Sequence, residues 1–496
     1  MATFPIPKSV SHVTNTLTKG GFEAYLVGGC VRDLFLGEKP KDWDVATNAK
    51  PEEIVTLFEK TFYENDFGTV SVVQAEGPEE QGDEWKDGSL KVIEITPYRK
   101  EGAYTDKRRP DSVSFSKRIE DDLSRRDFTI NALAYSVEKD ELLDLYDGRK
   151  DLISGHIRAV GDPRERFNED ALRILRGIRL HSELGFGVDK DTLAGMSEKV
   201  ELLSFISKER IRDEFTRIIS SPNPSLGLIL ADRVGALEYM IPELIEAKDI
   251  AQNQAHSFDV WTHLLKSLDH AAQKKYQFHV RLAALLHDIG KPASRRWSDE
   301  KNDWTFYGHE VIGARIAKNI MERLHFSRET IKKVVSLVRW HMFFSDTEQI
   351  TLSAVRRMVS NVGKDLVDDL MSVRICDRIG TGRPKESPYR LRKYQSMIEE
   401  VMRDPVSVGM LAIDGNDLIK LGEKAGPRLG YILHALLNEV LEDPKVNTKE
   451  YLSEKVKKMV SLSDIELKKL GEIGKLAKEQ EEGGELEKIR AKYGVK

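Results

Sequence analysis

Apolar and polar positions alternate along the first part of the chain, where they indicate short β-strands around one helix. The predicted elements are strands at 22–27, 42–46, 70–75, 90–96 and 112–115 and a helix at 31–36. From Glu165 onward the apolar residues recur almost throughout with helical spacing. The pattern therefore predicts an α+β fold, in which a small mixed sheet is followed by helical domains.

Segments rich in turn-forming or charged residues divide this pattern. Gly, Glu and Asp crowd residues 76–89, which we interpret as a solvated loop, and turn formers cluster at 221–224 and 380–388. Residues 465–496 are dense in Lys and Glu, and we expect a mobile or surface helix there. The domain boundaries that we expect are 1–150, 151–222, 223–385 and 386–496.

Composition restricts the class of protein. Hydrophobic residues make up 40% and charged residues 32% of the chain, as in soluble globular proteins. The net charge of −5 argues against binding nucleic acid through bulk charge, so such a site must gather arginines and lysines locally. Cys30 and Cys376 lie far apart, which favours a reduced compartment. Without a signal-peptide pattern or an apolar run of ~20 residues, we expect a cytoplasmic protein without membrane contact.

The first candidate chemistry lies at a strand, two glycines and a helix, an order that lets backbone N–H groups approach a phosphate. Gly28 and Gly29 form the turn, and Arg32 in the helix can pair with a triphosphate. In the next predicted strand, Asp42 and Asp44 point to the same side. Such a carboxylate pair suits Mg²⁺, and two ions can activate an attacking 3′-hydroxyl and stabilise leaving pyrophosphate. Alone, each motif is more often an ordinary turn or a solvated strand end.

Together these motifs resemble the opening of bacterial tRNA nucleotidyltransferases (CCA-adding enzymes) and bacterial poly(A) polymerases, which belong to the DNA polymerase beta superfamily. The matching residues are LVGGCVRDLFLG followed by DWDVAT. Further segments match in the same order, at 95–115 (ITPYRKEGAYTDKRRPDSVSF), 125–132 (RRDFTINA), 169–179 (EDALRILRGIR) and 208–214 (KERIRDE). The resemblance covers about residues 20–385 and implies a polymerase-beta-type nucleotidyltransferase head followed by all-helical neck and body domains.

The segment at 169–179 has its own pattern. Asp170, Arg173, Arg176 and Arg179 recur every three residues, which predicts a slowly drifting stripe on one helix. On its own, such a stripe is typical of a solvated basic face with an Asp–Arg pair. The resemblance implies instead that Asp170 and Arg173 select C or A through hydrogen bonds to the base edge. It also implies that Arg126, Arg176 and Arg179 contact the incoming nucleotide.

A third carboxylate at the metal site is implied by the same superfamily. Our candidate is Glu94, because Val92, Glu94 and Thr96 share one face of a predicted strand. Asp127 is the second candidate, although RRDFTINA also reads as a helix start with Asp127 as a capping residue.

Two segments bear on which nucleotides are added. In the resembling family the region at 98–115 is a mobile element that helps the switch from C to A, and CC-adding relatives have a shortened version; here it is present in full, which favours complete CCA addition. Bacterial poly(A) polymerases carry a basic, aromatic run after the Asp-x-Asp segment. The residues at 63–70 (YENDFGTV) lack that run, which favours the CCA branch.

A second constellation lies in the helical part. An apolar helix ends in the pair His287-Asp288, and other imidazoles and a carboxylate lie on both sides of it in sequence. Imidazole and carboxylate ligands suit a divalent metal that activates water for phosphoester hydrolysis. The pattern resembles the HD superfamily of phosphohydrolases, and it implies either a working hydrolase or a scaffold that binds the tRNA body. The candidate ligands, called the His–Asp cluster below, are His263, His287, Asp288, His309, His341 and Asp377.

We therefore predict a tRNA nucleotidyltransferase that adds C, C and A from CTP and ATP without a template. Its expected cofactors are Mg²⁺ in the head and a divalent metal in the His–Asp cluster; its expected partners are tRNA, ATP and CTP, with no obligate protein partner. One alternative is a poly(A) polymerase or a partial (A- or CC-adding) enzyme. A second is an HD phosphohydrolase with a non-catalytic nucleotide-binding head, and a third is an RNA-binding adaptor with an inactive head.

Overall fold

A computed structural model describes residues 4–63, 68–73, 90–101, 113–253, 257–343, 350–460, 462 and 466–467. The chain divides into two compact units, the first at Met1–Met240 and the second at Ile241–Lys496. The predicted loop at 76–89 and nearly all of the segment at 465–496 lie outside the described residues. No helix among those ranges is long and apolar enough to cross a membrane.

The first unit is built on a seven-stranded mixed sheet with the strand order β3-β4-β5-β2-β1-β8-β9. β2 and β5 run parallel, whereas the other neighbouring pairs are antiparallel. Three two-stranded sheets pair β6 with β7, β10 with β11 and β12 with β13. The strands are β1 (Ala24–Val27), β2 (Asp44–Thr47), β3 (Thr61–Tyr63), β4 (Val70–Val73), β5 (Val92–Pro97), β6 (Arg99–Glu101), β7 (Val113–Phe115), β8 (Leu133–Ser136), β9 (Glu141–Asp144), β10 (His156–Ile157), β11 (Gly187–Val188), β12 (Arg296–Ser298) and β13 (Asp303–Thr305).

Burial alternates along β5, which fixes how it pairs. Ile93 and Ile95 are fully buried, whereas Val92 and Glu94 on the opposite face are exposed. Slipping the strand by one residue would bring Glu94 into the core, so the register with β2 is strongly specified. In this register Asp44 pairs with Glu94, and Val45 pairs with Ile95.

The helices of the first unit surround the sheet and continue beyond it. α1 and α2 pack against β1, and α7 packs against both α9 and α10. These helices are α1 (Lys8–Lys19), α2 (Gly29–Phe35), α3 (Pro51–Leu57), α4 (Ile119–Ser124), α5 (Gly148–Ser154), α6 (Pro163–Glu169), α7 (Leu172–Leu184), α8 (Lys190–Lys199), α9 (Lys208–Ser220), α10 (Pro224–Arg233) and α11 (Leu237–Met240).

In the part of the second unit that the structure describes, β12–β13 is the one hairpin and the other elements are helices. The centre of this unit is α13, whose residues from Val280 to Leu286 are all buried, because α12, α16 and α18 pack around it. Its helices are α12 (Val260–Gln273), α13 (Phe278–Leu286), α14 (Lys291–Ser294), α15 (His309–Arg323), α16 (Arg328–Trp340), α17 (Leu352–Val362), α18 (Val367–Gly380), α19 (Tyr389–Val401), α20 (Gly415–Lys420), α21 (Pro427–Glu442) and α22 (Lys449–Val460). A further apolar cluster joins α20, α21 and α22 through Leu418, Leu436 and Leu452.

The predicted fold class, a small mixed sheet followed by helices, is confirmed. Helix α2 begins at Gly29, two residues earlier than predicted, and β2 begins at Asp44, two residues later. The sequence patterns missed β3, β8, β9, β10, β11 and the hairpin β12–β13. Those strands are two to four residues long, too short for a period of two to stand out.

Candidate functional site

A cleft of about 1140 Å³ in the first unit gathers most of the residues singled out in the head and neck segments. In this first-unit cleft, arginine and lysine outnumber aspartate and glutamate eleven to seven, although the whole chain carries a charge of −5. The local excess of basic residues is what a site for a polyanion requires. The predicted residues that line it are Gly28, Gly29, Arg32, Asp42, Asp44, Arg126, Asp170, Arg173, Arg176 and Arg179.

The turn at Gly28 brings two side chains of opposite charge together. Gly28 precedes α2 with a φ of 76°, a conformation that favours glycine. A Cβ atom there would lie 3.0 Å from Nη1 of Arg126 and 3.4 Å from Oδ2 of Asp44. Any larger residue would therefore crowd the carboxylate and the guanidinium at once. The glycine places a basic and an acidic side chain beside the start of α2.

Asp42 and Asp44 both line this cleft, but the expectation that both belong to one strand is wrong. Asp42 lies in a bend, and β2 begins only at Asp44. The bend leaves Asp42 exposed, whereas Asp44 is half-buried. Burial raises the pKa of Asp44; Arg126 opposes this rise, and the negative charge of Asp42 adds to it. A bound cation would offset the repulsion between the carboxylates of Asp42 and Asp44.

The two candidates for a third carboxylate differ in their surroundings. Glu94 is exposed on β5 directly beside Asp44, although it is not among the described residues that line the cleft. Asp127 is buried, and its Oδ2 accepts a 2.7 Å hydrogen bond from Nε of Arg176. Although burial raises the pKa of Asp127, Arg176 and Arg173 hold it far below its usual value. Both oxygens of Asp127 thus already accept hydrogen bonds from protein side chains, Arg176 and Asn131.

Arg32 is held in place by two side chains. Its Nε and Nη2 donate to Oδ1 of Asp33 at 2.9 and 2.7 Å, and its Nη1 donates to Oδ1 of Asn131 at 2.9 Å. Asn131 in turn donates from Nδ2 to Asp127 at 3.2 Å. The sequence analysis missed Asn131, although it lies inside the RRDFTINA segment.

Arg126 is held by a buried carboxylate that the sequence analysis also missed. Oδ2 of Asp122 accepts from Nη2 of Arg126 at 3.0 Å, and Oδ1 accepts from Nε of Arg125 at 2.9 Å. Asp122 is fully buried. Burial raises its pKa, but the two guanidinium groups outweigh burial and lower it. One carboxylate thus fixes both arginines; the resemblance had drawn attention only to Arg126.

The expected continuous helix at 169–179 is broken. α6 ends at Glu169, Asp170 is extended with φ −135° and ψ 105°, and α7 begins at Leu172. Oδ1 of Asp170 accepts a 3.0 Å hydrogen bond from the backbone N–H of Leu172, which is how aspartate commonly caps a helix start. Its other oxygen accepts from Nη2 of Arg210 at 2.8 Å. Arg210, on α9, lies within the matched KERIRDE segment but was not singled out.

The three arginines of the expected stripe are not a solvated face. Arg173 is buried and donates to Oε2 of Glu169 at 2.5 Å and to the carbonyl of Arg125 at 2.9 Å. Arg179 is also buried, and its Nε lies 2.8 Å from Oε2 of Glu214. Only Arg176 among the three keeps a side chain that is 38% exposed.

The six predicted ligands of the His–Asp cluster come together in the second unit, although they derive from five places in the sequence. All are buried. Nε2 of His263 lies 3.1 Å from Oδ2 of Asp288 and 3.5 Å from Oδ1 of Asp377. Nε2 of His309 lies 3.2 Å from the other oxygen of Asp288, Oδ1. His287 and His341 complete the set, with Nε2 atoms 3.3 and 3.6 Å from Asp288.

Backbone carbonyls orient three of the imidazoles. Nδ1 of His287 lies 2.9 Å from the carbonyl of Ala284. Nδ1 of His309 lies 2.7 Å from the carbonyl of Phe306, and Nδ1 of His341 lies 2.7 Å from the carbonyl of Val338. A donating Nδ1–H leaves the Nε2 lone pair directed into the cluster, as a metal-bound histidine requires.

The cluster forms two ligand groups that share one carboxylate. His263, His287, Asp288 and Asp377 form one group, and Asp288, His309 and His341 form the other. Burial lowers the pKa of His287, but Asp288 and Asp377 outweigh burial and raise it to about 10. For His341, burial dominates and lowers the pKa to about 4. The ligand group that contains Asp377 therefore favours a positive charge. The other group offers the neutral imidazole of His341.

Three family models match the chain in order. They are a poly A polymerase head domain at 24–158, a probable RNA- and SrmB-binding site of polymerase A at 185–248, and an HD domain at 254–381.

Bacterial tRNA nucleotidyltransferases are similar to this chain over more than half of its length. A CC-adding tRNA nucleotidyltransferase of Thermus thermophilus is 32% identical over 86% of this chain and 92% of its own. A CCA-adding enzyme of Leuconostoc mesenteroides is 40% identical over 54% of this chain, and the match spans only 64% of that enzyme. The crystal structure of the Bacillus stearothermophilus CCA-adding enzyme in complex with CTP has 25% identity and a TM-score of 0.66, covering 92% of this chain and 98% of that one. These matches confirm the resemblance and the polymerase-beta-type head.

Proposed function

Because the chain belongs to the tRNA nucleotidyltransferase (CCA-adding enzyme) family, we propose that it adds C, C and A to tRNA 3′ ends from CTP and ATP without a template. The observation that carries this proposal is the convergence at Gly28. There the carboxylate of Asp44 and the guanidinium of Arg126 meet at the start of α2. They do so inside a cleft in which basic side chains predominate. Acting on tRNA, the enzyme would work in the cytoplasm.

In the proposed reaction the RNA 3′-oxygen bonds to the α-phosphorus of the nucleotide, and the bond from that phosphorus to pyrophosphate breaks. Asp42, Asp44 and Glu94 would hold Mg²⁺, which supplies activation of the 3′-hydroxyl and neutralises the pyrophosphate. The donor set fits, since Asp42 and Asp44 line the same cleft and the charge of Asp42 acts on the carboxylate of Asp44. Arg32, fixed by Asp33 and Asn131, and the backbone at Gly28 and Gly29 would receive the triphosphate.

Base selection would rest on Asp170 and Arg173, the residues implied by the family resemblance. Arg210 holds one oxygen of Asp170, so that carboxylate has a defined orientation. Arg173 is fixed by Glu169 and by the carbonyl of Arg125, and its remaining N–H groups would face the base. Arg126, Arg176 and Arg179 would complete the nucleotide site through charge.

The experiment is incorporation of labelled CTP and ATP into tRNA that lacks CCA, with Mg²⁺ present. The unchanged chain should incorporate both nucleotides. Asp42→Ala and Asp44→Ala should abolish incorporation, whereas Glu52→Ala, an exposed acid on α3, should leave it unchanged. Incorporation that survives both cleft substitutions would refute the site assignment.

Whether the final A is added is the finer part of the proposal. Both kinds of enzyme match nearly the full chain at almost equal identity: the CC-adding enzyme at 32% over 86% of it, and the CCA-adding enzyme of Ligilactobacillus salivarius at 31% over 91% of it. The element that favours complete addition spans 98–115, of which 102–112 lie outside the described residues. The proposal of complete CCA addition therefore rests on the presence of that segment in the sequence.

We also infer a second activity, hydrolysis of a phosphoester at the His–Asp cluster. The supporting observation is that four histidines and two aspartates, all buried, form two ligand groups that share Asp288. Bound divalent ions would lower the pKa of a water molecule and polarise a phosphoryl oxygen. Asp288 would bridge the two ligand groups, and Lys291, with Nζ 2.6 Å from its Oδ2, would steady it. Divalent-ion-dependent cleavage of p-nitrophenyl phosphate, lost in Asp288→Asn, would test this activity.

A further inference from the structure

Two guanidinium groups lie beside the glycine turn at the start of α2. A Cβ atom on Gly28 would lie 3.0 Å from Nη1 of Arg126, and one on Gly29 would lie 3.6 Å from Nη2 of Arg32. Arg32 belongs to α2, whereas Arg126 comes two residues after the end of α4. Two positive charges from different elements thus meet at a turn that has no side chains, an arrangement that suits a chain of phosphates.

Asn131, a buried residue that lines the first-unit cleft, contacts both of these arginines. Its Oδ1 accepts a hydrogen bond from Nη1 of Arg32 at 2.9 Å, and its backbone carbonyl accepts one from Nη1 of Arg126 at 3.4 Å. Its Nδ2 donates to Oδ1 of Asp127 at 3.2 Å. Since an amide has one accepting and one donating end, the contact with Asp127 fixes which end faces Arg32.

Arg32 has a support outside its own helix only through such a contact. Its Nε and Nη2 donate to Asp33, which is the next residue on α2 and moves together with it. Asn131 belongs to a separate 3-10 turn, Thr129–Asn131. Among the described contacts, these bonds use three of the five guanidinium N–H groups, so two remain for phosphate oxygens.

The turn that carries Asn131 is anchored by the residue at its other end. Oγ1 of Thr129 donates to Oδ2 of Asp151 at 2.6 Å, and the backbone N–H of Thr129 donates to the carbonyl of Arg158 at 2.8 Å. A Cβ atom on Gly148 would lie 2.2 Å from the carbonyl oxygen of Thr129, so α5 packs closely against the turn. Asn131 therefore offers the arginines a fixed support.

The residue type at position 131 suits this support. Arg32 and Arg126 already have one carboxylate partner each, Asp33 and Asp122. A further ionised carboxylate would remove more of the positive charge that a triphosphate requires. A neutral amide orients a guanidinium through a hydrogen bond and leaves its charge in place.

We propose that Asn131 is a positioning residue for the triphosphate: it holds Arg32 and Arg126 beside the glycine turn, where the pair binds the phosphates common to CTP and ATP. The side-chain amide acts on Arg32, and the backbone carbonyl acts on Arg126. The inference rests on the proposed nucleotidyl transfer and deepens it, because it names the residue that keeps the triphosphate arginines in place.

Loss of the Asn131 side chain should affect the triphosphate and not the base. Without the amide, Asp127 still accepts hydrogen bonds from the backbone N–H of Phe128 at 2.8 Å and from Nε of Arg176 at 2.7 Å. Arg32, in contrast, loses its contact with the neighbouring turn and keeps only the bonds to Asp33 among those described.

The test compares CTP with CMP, which lacks the β- and γ-phosphates, on the full chain with Mg²⁺ and without tRNA. Titration calorimetry gives the Kd of CTP, and competition against CTP gives that of CMP. Asn131→Ala should weaken CTP binding roughly 10- to 100-fold, as expected for one hydrogen bond to a charged group, and CMP binding less than about threefold. Asn131→Leu, which keeps the volume, should show the same selective loss. As the control, Asn223→Ala removes an amide that donates to the carbonyl of Ser182, and it should change neither value.

A double-mutant cycle separates positioning from a general loss of structure. In a chain that already carries Arg32→Ala, adding Asn131→Ala should change the Kd of CTP less than about threefold, because the arginine that the amide holds is gone. Losses that simply add, or CTP and CMP binding weakened by the same factor, would overturn the proposal.

The incorporation assay distinguishes this proposal from the function on which it rests. Asn131→Ala should raise the KM values for CTP and ATP by the same factor, since both carry the same triphosphate, and should preserve the ratio of kcat/KM for CTP over UTP. No incorporation by the unchanged chain would refute the proposed function. Incorporation by the unchanged chain with an unaltered KM in Asn131→Ala would refute the positioning role alone.

Discussion

Asp44 and Glu94 are directly paired on the adjacent parallel strands β2 and β5, so the two side chains point to the same face of the sheet. The pairing is held by the buried neighbours Val45 and Ile95, which also pair with each other. Asp127, the other candidate, is paired with Arg176 instead. The sheet register therefore favours Glu94 as the third carboxylate of the proposed metal site.

Glu94→Gln should reduce nucleotide incorporation at saturating CTP at least about 100-fold, because it removes a charged oxygen ligand while keeping the shape. Binding of tRNA, measured by filter retention, should stay within about threefold. Glu141→Gln, an exposed acid on β9 at the far edge of the sheet, serves as the control. Full activity of Glu94→Gln would mean that a residue other than Glu94 is the third ligand.

Arg210→Gln should relax the choice of base. Without the 2.8 Å hydrogen bond from Arg210, the carboxylate of Asp170 loses its fixed orientation. We expect discrimination of CTP against UTP, measured as the ratio of kcat/KM values, to fall roughly 10-fold or more. Arg212→Gln alters a neighbouring arginine on α9 that pairs with Asp213, and it should preserve the ratio. Equal ratios in both variants would count against the proposed role of Asp170.

Asp122→Asn should destabilise the chain at neutral pH by about 3 kcal/mol, because two arginines would lose their buried counter-charge. Burial raises the pKa of Asp122, but Arg126 and Arg125 outweigh it and lower the pKa. A lowered pKa stabilises the fold above the usual aspartate value of about 3.9, and that contribution is lost as the pH falls below it.

The difference in unfolding free energy between Asp122→Asn and the unchanged chain should therefore stay constant above about pH 5 and shrink as the pH falls below about 4. Urea denaturation followed by fluorescence measures it. Glu120→Gln, an exposed acid on the same helix, should show neither the loss nor the pH dependence. A difference that grows with acidification would mean that the pKa is shifted in the opposite direction.

Metal analysis should find about two divalent ions per unchanged chain at the His–Asp cluster, since two ligand groups share Asp288. Asp288→Asn should remove both ions, whereas His309→Gln should remove about one. His279→Gln alters a histidine that pairs with Asp369 outside the cluster and should keep the full content. If His309→Gln and Asp288→Asn had the same effect, the cluster would hold a single ion.

The structure brings together residues that the sequence motifs singled out. Gly28, Asp42 and Asp44 lie within seventeen residues and line one cleft. The six predicted ligands of the His–Asp cluster come from five places in the sequence and lie close to one another. The sequence pattern did not predict which partners hold those side chains in place. Asp122, Asn131 and Arg210 act through contacts with residues far along the chain or through burial, and neither leaves a periodic signal.

At one point the structure also departs from the helical periodicity of the sequence. A repeat of three predicted one helix from Glu169 to Arg179, but the backbone of Asp170 is extended, and its side chain accepts a hydrogen bond from the N–H of Leu172, where a new helix begins. The sequence did not predict the hairpin β12–β13, because its strands are only three residues long and lie inside a helical region.

The most direct test of the account is the product ladder on tRNA that ends just before CCA, with CTP and ATP both present. Sequencing-gel analysis should reveal addition of C, C and one A, followed by a stop. A ladder that ends after two C residues would reduce the enzyme to CC addition. A long run of A, or no extension at all, would contradict the central claim.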